Sequence, residues 1–513
     1  MNRVEALREL IKQHQCDAYL ITDSDGHYTF YSLSQENRRL NWITECQAQC
    51  GLAIVTLHDG AFFQTPPNYR LLAKVEVNTD VWTLVDDLAQ WISNQRLSLR
   101  RIAYDPRLTP LFVIEQFSAL KSSLYPIDSS NNWIDIISKT ETSSERSTLT
   151  SIWSLDELRF AGQTSAEKDL PYEIHPYESF FTFLSTLKEK DVWLDERTSV
   201  TVLQHLPSTA VRVSRSPIQQ MKEIKNSVEL EGFRQCHFRD CAAVCQTFEW
   251  LQKNMENDAS NVTEVDVAKY LENRQREQAY FISIAFDTIS ASAMNTALVE
   301  YSPFAAKTKK IVSRDLFYLD GGGNYLDGTT DMTRTLHFGQ ATQEQIQCYT
   351  LLLKAILSIE MTGFSSDDTL TGCYIHSLLK AQFASINDAN EHLSFGHGVS
   401  HGMGVIEGGI SICDSQSFAT SIPIRPGMVI TLEPGIFFEG KWGIRIENVY
   451  EIMEDEQRLI HFIPLTLLPY SRSLIDINLL TPEEMIWINA YHQRCLQYVD
   501  GGTWMKQQID LFL

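Results

Sequence analysis

Four carboxylates and two histidines in the second half of the chain stand where ordinary strand and turn residues would not require them. Asp320 ends the apolar run LFYLD, and Asp331 follows eleven residues later, after a glycine-rich turn. Glu433 closes the apolar VITL ahead of Pro434 and Gly435, and Glu447, fourteen residues on, sits inside the alternating segment IRIENVY. Between these pairs lies GHGVSHGMG, in which His397 and His401 are four apart in backbone that glycine lets approach a ligand closely. Taken singly, an Asp at a strand end is a common turn-capping residue, and Glu447 could simply pair with Arg445. The set reads differently. Buried carboxylates must be protonated or neutralised, and Lys and Arg are scarce around these segments. A pair of divalent cations would meet that need.

Such a site needs strands to carry it. From 1 to 137 the pattern alternates helix and strand: an amphipathic opening helix with Val4, Leu7, Leu10 and Ile11 on one face, then CDAYLIT, GLAIVTL, AFFQT and RRIAYDP. This is an α/β domain. The polar SKTETSSERSTLTS (138–151) reads as a linker or surface turn, and a short α/β pattern with WSLDELRFAG, a helix around YESFFTFLSTLKEK and the strand DVWLDE completes a middle domain over 138–215. From Met221 a long helix begins, with Val228, Phe233, Cys236 and Val244 roughly on one stripe, and a second helix starts after Thr263 and Glu264. Strands follow at FISIAFD, RDLFYLDGG, DMTRTLHFG, GMVITLEPG and GIRIENVYEIM, with helices at 342–361 and 367–385. The expectation for 216–513 is an α+β catalytic domain with an antiparallel sheet.

Composition narrows the partners. A net charge of −22, from 43 basic and 65 acidic residues, repels phosphate backbones and anionic headgroups, so neither nucleic acid nor a membrane surface is expected as a partner. No apolar run is long enough to span a bilayer, and no signal-type apolar region follows the first helix. The ten cysteines lack CxxC or zinc-finger spacing, and a cytoplasmic protein with reduced thiols is expected. Cys241 and Cys245 read as small buried side chains.

In this order, DGGGNYLDGTTDMTRT, GHGVSHGMG, TLEPG and GIRIEN resemble the signature segments of the pita-bread metallopeptidases, in particular the three-domain cytosolic Xaa-Pro aminopeptidases. IKNSVELEGFRQ, DTIS and the stretch from FIPLTLLPYSRS to WINAYHQRC extend the likeness over most of 221–500, and a weaker one runs through LRELIKQHQCDAYLI, ENRR and NTDVWTL. The resemblance implies a pita-bread catalytic domain. It also implies a dinuclear site, usually of Mn²⁺, held by Asp320, Asp331, His401, Glu433 and Glu447, with a bridging water as nucleophile. Glu433 would accept the water's proton, and His397 would contact the substrate or the developing oxyanion. Substrates would be short peptides with proline second, and a homodimer is implied.

The chain departs from that pattern at two auxiliary histidines. NTALVEY places Glu300 where the family has a histidine, and GVIEGG places Ile406 at the other position. No histidine lies between 238 and 336 or between 402 and 460. The segment FFQTPPNY also lacks a DGRY-type arginine. The leading expectation is a hydrolase of Xaa-Pro bonds, with Glu300 meeting a substrate ammonium or basic side chain. The alternatives are a metal-binding pseudoenzyme or peptide-binding protein, motivated by Glu300 and Ile406, and a metal-free creatinase-like hydrolase.

Overall fold

The computed structural model describes the chain except residues 1, 25–37, 49, 95–98, 118–122, 142–178, 188–191, 207–210, 214–215, 257–260, 305–307, 367–369, 388–396, 406–407, 409, 414–418 and 510–513. Most of the expected linker, the segment WSLDELRFAG and Ile406 therefore lie outside the described residues. The chain divides into two compact units, Met1–Pro66 with Ala73–Ser216 and Pro217–Leu513 with Pro67–Leu72.

In the first unit, Ala18–Thr22 (β1) and Leu52–Thr56 (β2) are buried at every residue, the mark of strands covered on both faces. They centre a six-stranded mixed sheet with Ala61–Gln64 (β3), Trp82–Val85 (β4), Ile102–Tyr104 (β5) and Leu124–Pro126 (β6), in the order β4-β3-β2-β1-β5-β6. The helix Arg3–Gln13 begins at an Asn2 cap and buries Val4, Leu7 and Ile11, three of the four residues its periodicity assigned to one face. The described part of 138–216 adds a parallel pair, Val192–Leu194 (β7) with Val211–Val213 (β8), and its Leu184, Leu194, Val200 and Leu206 join the core of Leu20, Ile54 and Ile102.

The second unit opens with a short helix, Pro217–Glu223, so the long helix expected from Met221 begins instead at Ser227; it and the next helix, Ser227–Met255 and Glu264–Arg276, are each started by a capping box, from Asn226 to Glu229 and from Thr263 to Asp266. Phe233, Cys236 and Val244 are buried as their spacing predicts, whereas Val228 is exposed because it lies in the first turn, ahead of the packed stretch. Cys241 and Cys245 are buried free thiols. Phe281–Ile284 (β9), Ile289–Ser292 (β10), Leu316–Gly321 (β11), Gly323–Tyr325 (β12), Gly328–Thr329 (β13) and Met332–His337 (β14) form two three-stranded sheets, β10-β11-β14 and β13-β12-β9. Phe364–Ser365 (β15), Val429–Leu432 (β16), Gly435–Phe438 (β17), Trp442–Arg445 (β18), Asn448–Glu454 (β19) and Leu459–Pro464 (β20) form the sheet β15-β20-β19-β16 and the hairpin β17-β18. All strand pairings among the described residues of this unit are antiparallel, giving the α+β architecture expected from the sequence. The helices Gln343–Glu360 and Gly372–Asn387 supply much of the apolar cover. No helix among the described residues is long and apolar enough to cross a membrane.

Arg334 on β14 is fully buried without a carboxylate partner. It donates instead to the carbonyls of Glu447 (2.6 Å) and Thr333 (2.9 Å), to Asn448 Oδ1 (2.7 Å) and to the Tyr491 hydroxyl (2.9 Å). A guanidinium whose donors are all used can stay buried. It ties the strand after Asp331 to Glu447 and to the helix Pro482–Tyr498. On that helix, burial and the nearby charges of Arg334 and Arg472 lower the His492 pKa to about 3.

Between pH 6.5 and about 3 the unfolded chain therefore binds a proton at His492 that the folded chain refuses, and this residue's contribution to stability falls with pH. In urea unfolding, the stability of the protein relative to a His492→Gln variant should fall by about 1.4 kcal/mol for each pH unit below 6.5. A difference constant between pH 7.5 and 5 would contradict this.

Candidate active site

The carboxylates singled out by the sequence come from separate elements and meet in one place. Asp320 lies in β11, and Asp331 stands just before β14, paired with β11 through Gly321 and Met332. Their separation is set by the turn between them. A side chain at Gly322 would place its Cβ 1.9 Å from the Thr330 carbonyl, so only glycine lets the turn close. Thr330 donates to Asp240, which is fully buried on the long helix and also accepts from Tyr325 (2.8 Å) and Gln275 (3.0 Å). Asp331 is thus fixed by its neighbour.

Glu433 follows β16, and its N–H donates to the Val399 carbonyl at 2.9 Å, holding the GHGVSHGMG segment beside it. His401 is bound to the same strand through its N–H to Thr431 Oγ1, at 3.0 Å. Glu447 does not lie within a strand as the alternation suggested. It occupies the break between β18 and β19, and its N–H reaches the Thr333 carbonyl at 3.1 Å. The cause is that IRIENVY is buried throughout, so the apparent alternation marks no solvent face.

Asp331, His401 and Glu447 each bring one potential ligand atom within 4.8 Å of the others. His401 Nε2 lies 3.4 Å from Asp331 Oδ2 and 3.4 Å from Glu433 Oε1. Thr333 Oγ1 donates to Glu447 Oε2 at 2.8 Å. Among the described residues the one guanidinium in the cluster is that of Arg445, whose partner is Asp320 and not Glu447; its other bonds go to Thr333 Oγ1 (3.2 Å) and the Val299 carbonyl (3.1 Å). Four carboxylates against one guanidinium leave negative charge in excess. Burial pushes Glu433 well above the usual carboxylate range, with Glu447 reinforcing the rise, and burial with the charge of Asp320 pushes Glu447 to about 8. Burial also raises Asp320, against the opposing pull of Arg445. Asp320 Oδ1 is buried and accepts no hydrogen bond. A converging carboxylate set with one imidazole and an unsatisfied buried oxygen fits a hard divalent cation.

His397 stands at the edge of the cluster, its Nδ1 3.8 Å from Glu433 Oε2 and bonded to the Gly398 carbonyl. Its Nε2 is buried without a partner, and the Phe437 ring packs edge-on at 5.5 Å. Burial, followed by Arg445, lowers its pKa to about 3, so the ring is neutral. Glu300 is half-buried next to Val299, whose carbonyl Arg445 holds. Three participants were missed by sequence reasoning: Thr333, Asp240 and the Arg445–Asp320 pair. Asp240 carried a signal, a charge four residues from Cys236 and from Val244 on an otherwise apolar stripe.

Residues 231–454 match metallopeptidase family M24, and 458–506 match the C-terminal region of that peptidase family. Residues 3–137 and 151–229 match creatinase/prolidase N-terminal domains. A probable Xaa-Pro aminopeptidase P of Neosartorya fischeri is 30% identical, covering 96% of this chain and 88% of its own length. That of Colletotrichum graminicola is 28% identical over 97% and 96%. The crystal structure of an X-prolyl aminopeptidase from Caenorhabditis elegans, described as a cytosolic enzyme with a di-nuclear active site, superposes with a TM-score of 0.86 over 99% of both chains, at 24% identity. The chain belongs to metallopeptidase family M24, in its Xaa-Pro aminopeptidase group, and has that family's pita-bread fold.

Proposed function

We propose that this protein is a metal-dependent aminopeptidase that hydrolyses the N-terminal Xaa-Pro bond of short peptides. Two divalent cations would be held by Asp320, Asp331, His401, Glu433 and Glu447. The observation that carries the reading is the gathering of Asp331, His401 and Glu447 within 4.8 Å, beside Glu433 and Asp320, with Arg445 on Asp320. A carboxylate-rich set with a single imidazole favours Mn²⁺ over thiolate-loving zinc. When bound, the cations supply an acidified water and an electrophile for the scissile carbonyl.

The protein's own groups do the rest. Glu433, pushed up by burial, is suited to take the water's proton on its carboxylate and return it to the leaving proline nitrogen, which must become a secondary amine. With Nδ1–H directed to the Gly398 carbonyl, His397 presents Nε2 as an acceptor. That favours a contact to a substrate N–H over stabilisation of an oxyanion. Arg445 holds Asp320 and limits repulsion among the carboxylates. Glu300, beside Val299, supplies negative charge for the peptide's ammonium group or a basic first side chain. A cytoplasmic homodimer belongs to the same reading, and the cytosolic description of the nematode enzyme supports the location.

The Mn²⁺-loaded protein should release the first residue from Xaa-Pro peptides, with lower KM for Lys-Pro and Arg-Pro than for Glu-Pro peptides, and Asp331→Asn should abolish release. No release from any peptide, with two metals bound, would favour a peptide-binding protein instead. Metal should also act on stability. Excess Mn²⁺ at about 100 times its Kd should stabilise the protein by about 2.7 kcal/mol for each cation site filled, an increment EDTA removes and Asp331→Asn lacks. Without metal, Asp331→Asn should be at least as stable as the parent, since it relieves repulsion. A variant less stable than the metal-free parent would argue against a cluster strained by like charge.

A further inference from the structure

Glu264, the first residue of the helix Glu264–Arg276, is fully buried yet lies outside the carboxylate cluster. Five donor groups point at it. Ser292 donates from its N–H (2.7 Å) and hydroxyl (2.9 Å), Asn295 from Nδ2 (3.1 Å), Tyr301 from its hydroxyl (2.7 Å) and Lys309 from its N–H (2.7 Å). The Glu264 N–H is also used, donating to the Lys309 carbonyl at 3.0 Å. These donors flank one short stretch, 298–301, on both sides in sequence. A carboxylate that accepts this many bonds is a strong local fastener.

That stretch is a wall of the site. The Val299 carbonyl accepts from Arg445, which also holds Asp320, and the Leu298 carbonyl accepts from the Tyr318 hydroxyl at 3.0 Å. Val299 and Tyr301 pack with Tyr318 and Phe437, and Phe437 is the ring that meets His397. On its far side the wall is closed against the hairpin β17-β18. Gly443 donates its N–H to Thr296 Oγ1 at 2.8 Å, and a Cβ there would come within 2.2 Å of the Thr296 carbonyl. Glu300 therefore sits on a segment fastened to the site by Arg445 and to the domain by Glu264.

We infer that Glu264 is a positioning residue for substrate recognition, holding 298–301 so that Glu300 and the Val299 backbone meet the peptide's first residue beside the cluster. The inference rests on the reading of the cluster as a peptide site. Replacing Glu264 by Gln keeps the shape and turns half of the acceptor set into a donor facing donors. Tyr301→Phe removes one hydroxyl and guards against a Glu264 variant that does not fold.

In the full-length Mn²⁺-loaded protein, both variants should exchange the amides of 293–304 faster, with those of β11, β14 and β19 unchanged and two metals still bound. KM for Xaa-Pro peptides should rise about tenfold in Glu264→Gln, equivalent to about 1.4 kcal/mol of binding, and less in Tyr301→Phe, with kcat little altered. Faster local exchange with unchanged KM, or a loss confined to kcat or to metal content, would overturn the inference. If the parent protein cleaves no peptide, the aminopeptidase reading fails by itself, and calorimetry with the same peptides tests Glu264 instead. Weaker peptide binding in Tyr301→Phe would then support the positioning role, and unchanged or absent binding would reject it.

Discussion

Like charges confined in the low-dielectric interior are the constraint around which the second unit is organised. Asp320, Asp331, Glu433 and Glu447 are brought together against their mutual repulsion, and burial, reinforced by neighbouring carboxylates, pushes Glu433 and Glu447 out of the ordinary carboxylate range. Arg445 offsets part of this through Asp320. The remainder is a standing demand for cation, and no apolar packing could satisfy it.

The scaffold is built to withstand that demand. Two of the four carboxylates are held by neighbouring groups: Glu447 by the Thr333 hydroxyl and, at its carbonyl, by Arg334, and Asp331 through Asp240 on the Thr330 turn beside it. Arg334 and Asp240 are buried charges of opposite sign, each satisfied by its own donors or acceptors, so neither competes for the cluster. The same device recurs at Glu264, one step further out, where a buried carboxylate fastens a wall rather than a ligand strand.

Much of this was legible in the sequence, and for physical reasons. Carboxylates at the ends of apolar runs, glycine on either side of His397 and after His401, and the Pro-Gly after Glu433 are local signals, and they identified the residues the fold gathers. The start of the second helix was legible at Thr263, whereas the long helix, expected from Met221, begins only at Ser227, because the Asn226 capping box restarts it after the short helix Pro217–Glu223. What was not legible depends on contacts between distant segments. Arg445 stands two residues from Glu447 in sequence but pairs across the sheet with Asp320, 125 residues away. Glu447 read as part of an alternating strand because burial on both faces erases the difference between sides. Val228 was assigned to a buried stripe that in fact begins a turn later.

The central claim is that this charge cluster is a two-cation site, and anomalous diffraction from crystals grown with Mn²⁺ tests it most directly. Two peaks in the interior of the second unit, together contacted by Asp320, Asp331, His401, Glu433 and Glu447, are expected. No peak there, or a metal held elsewhere with these five residues uninvolved, would contradict it.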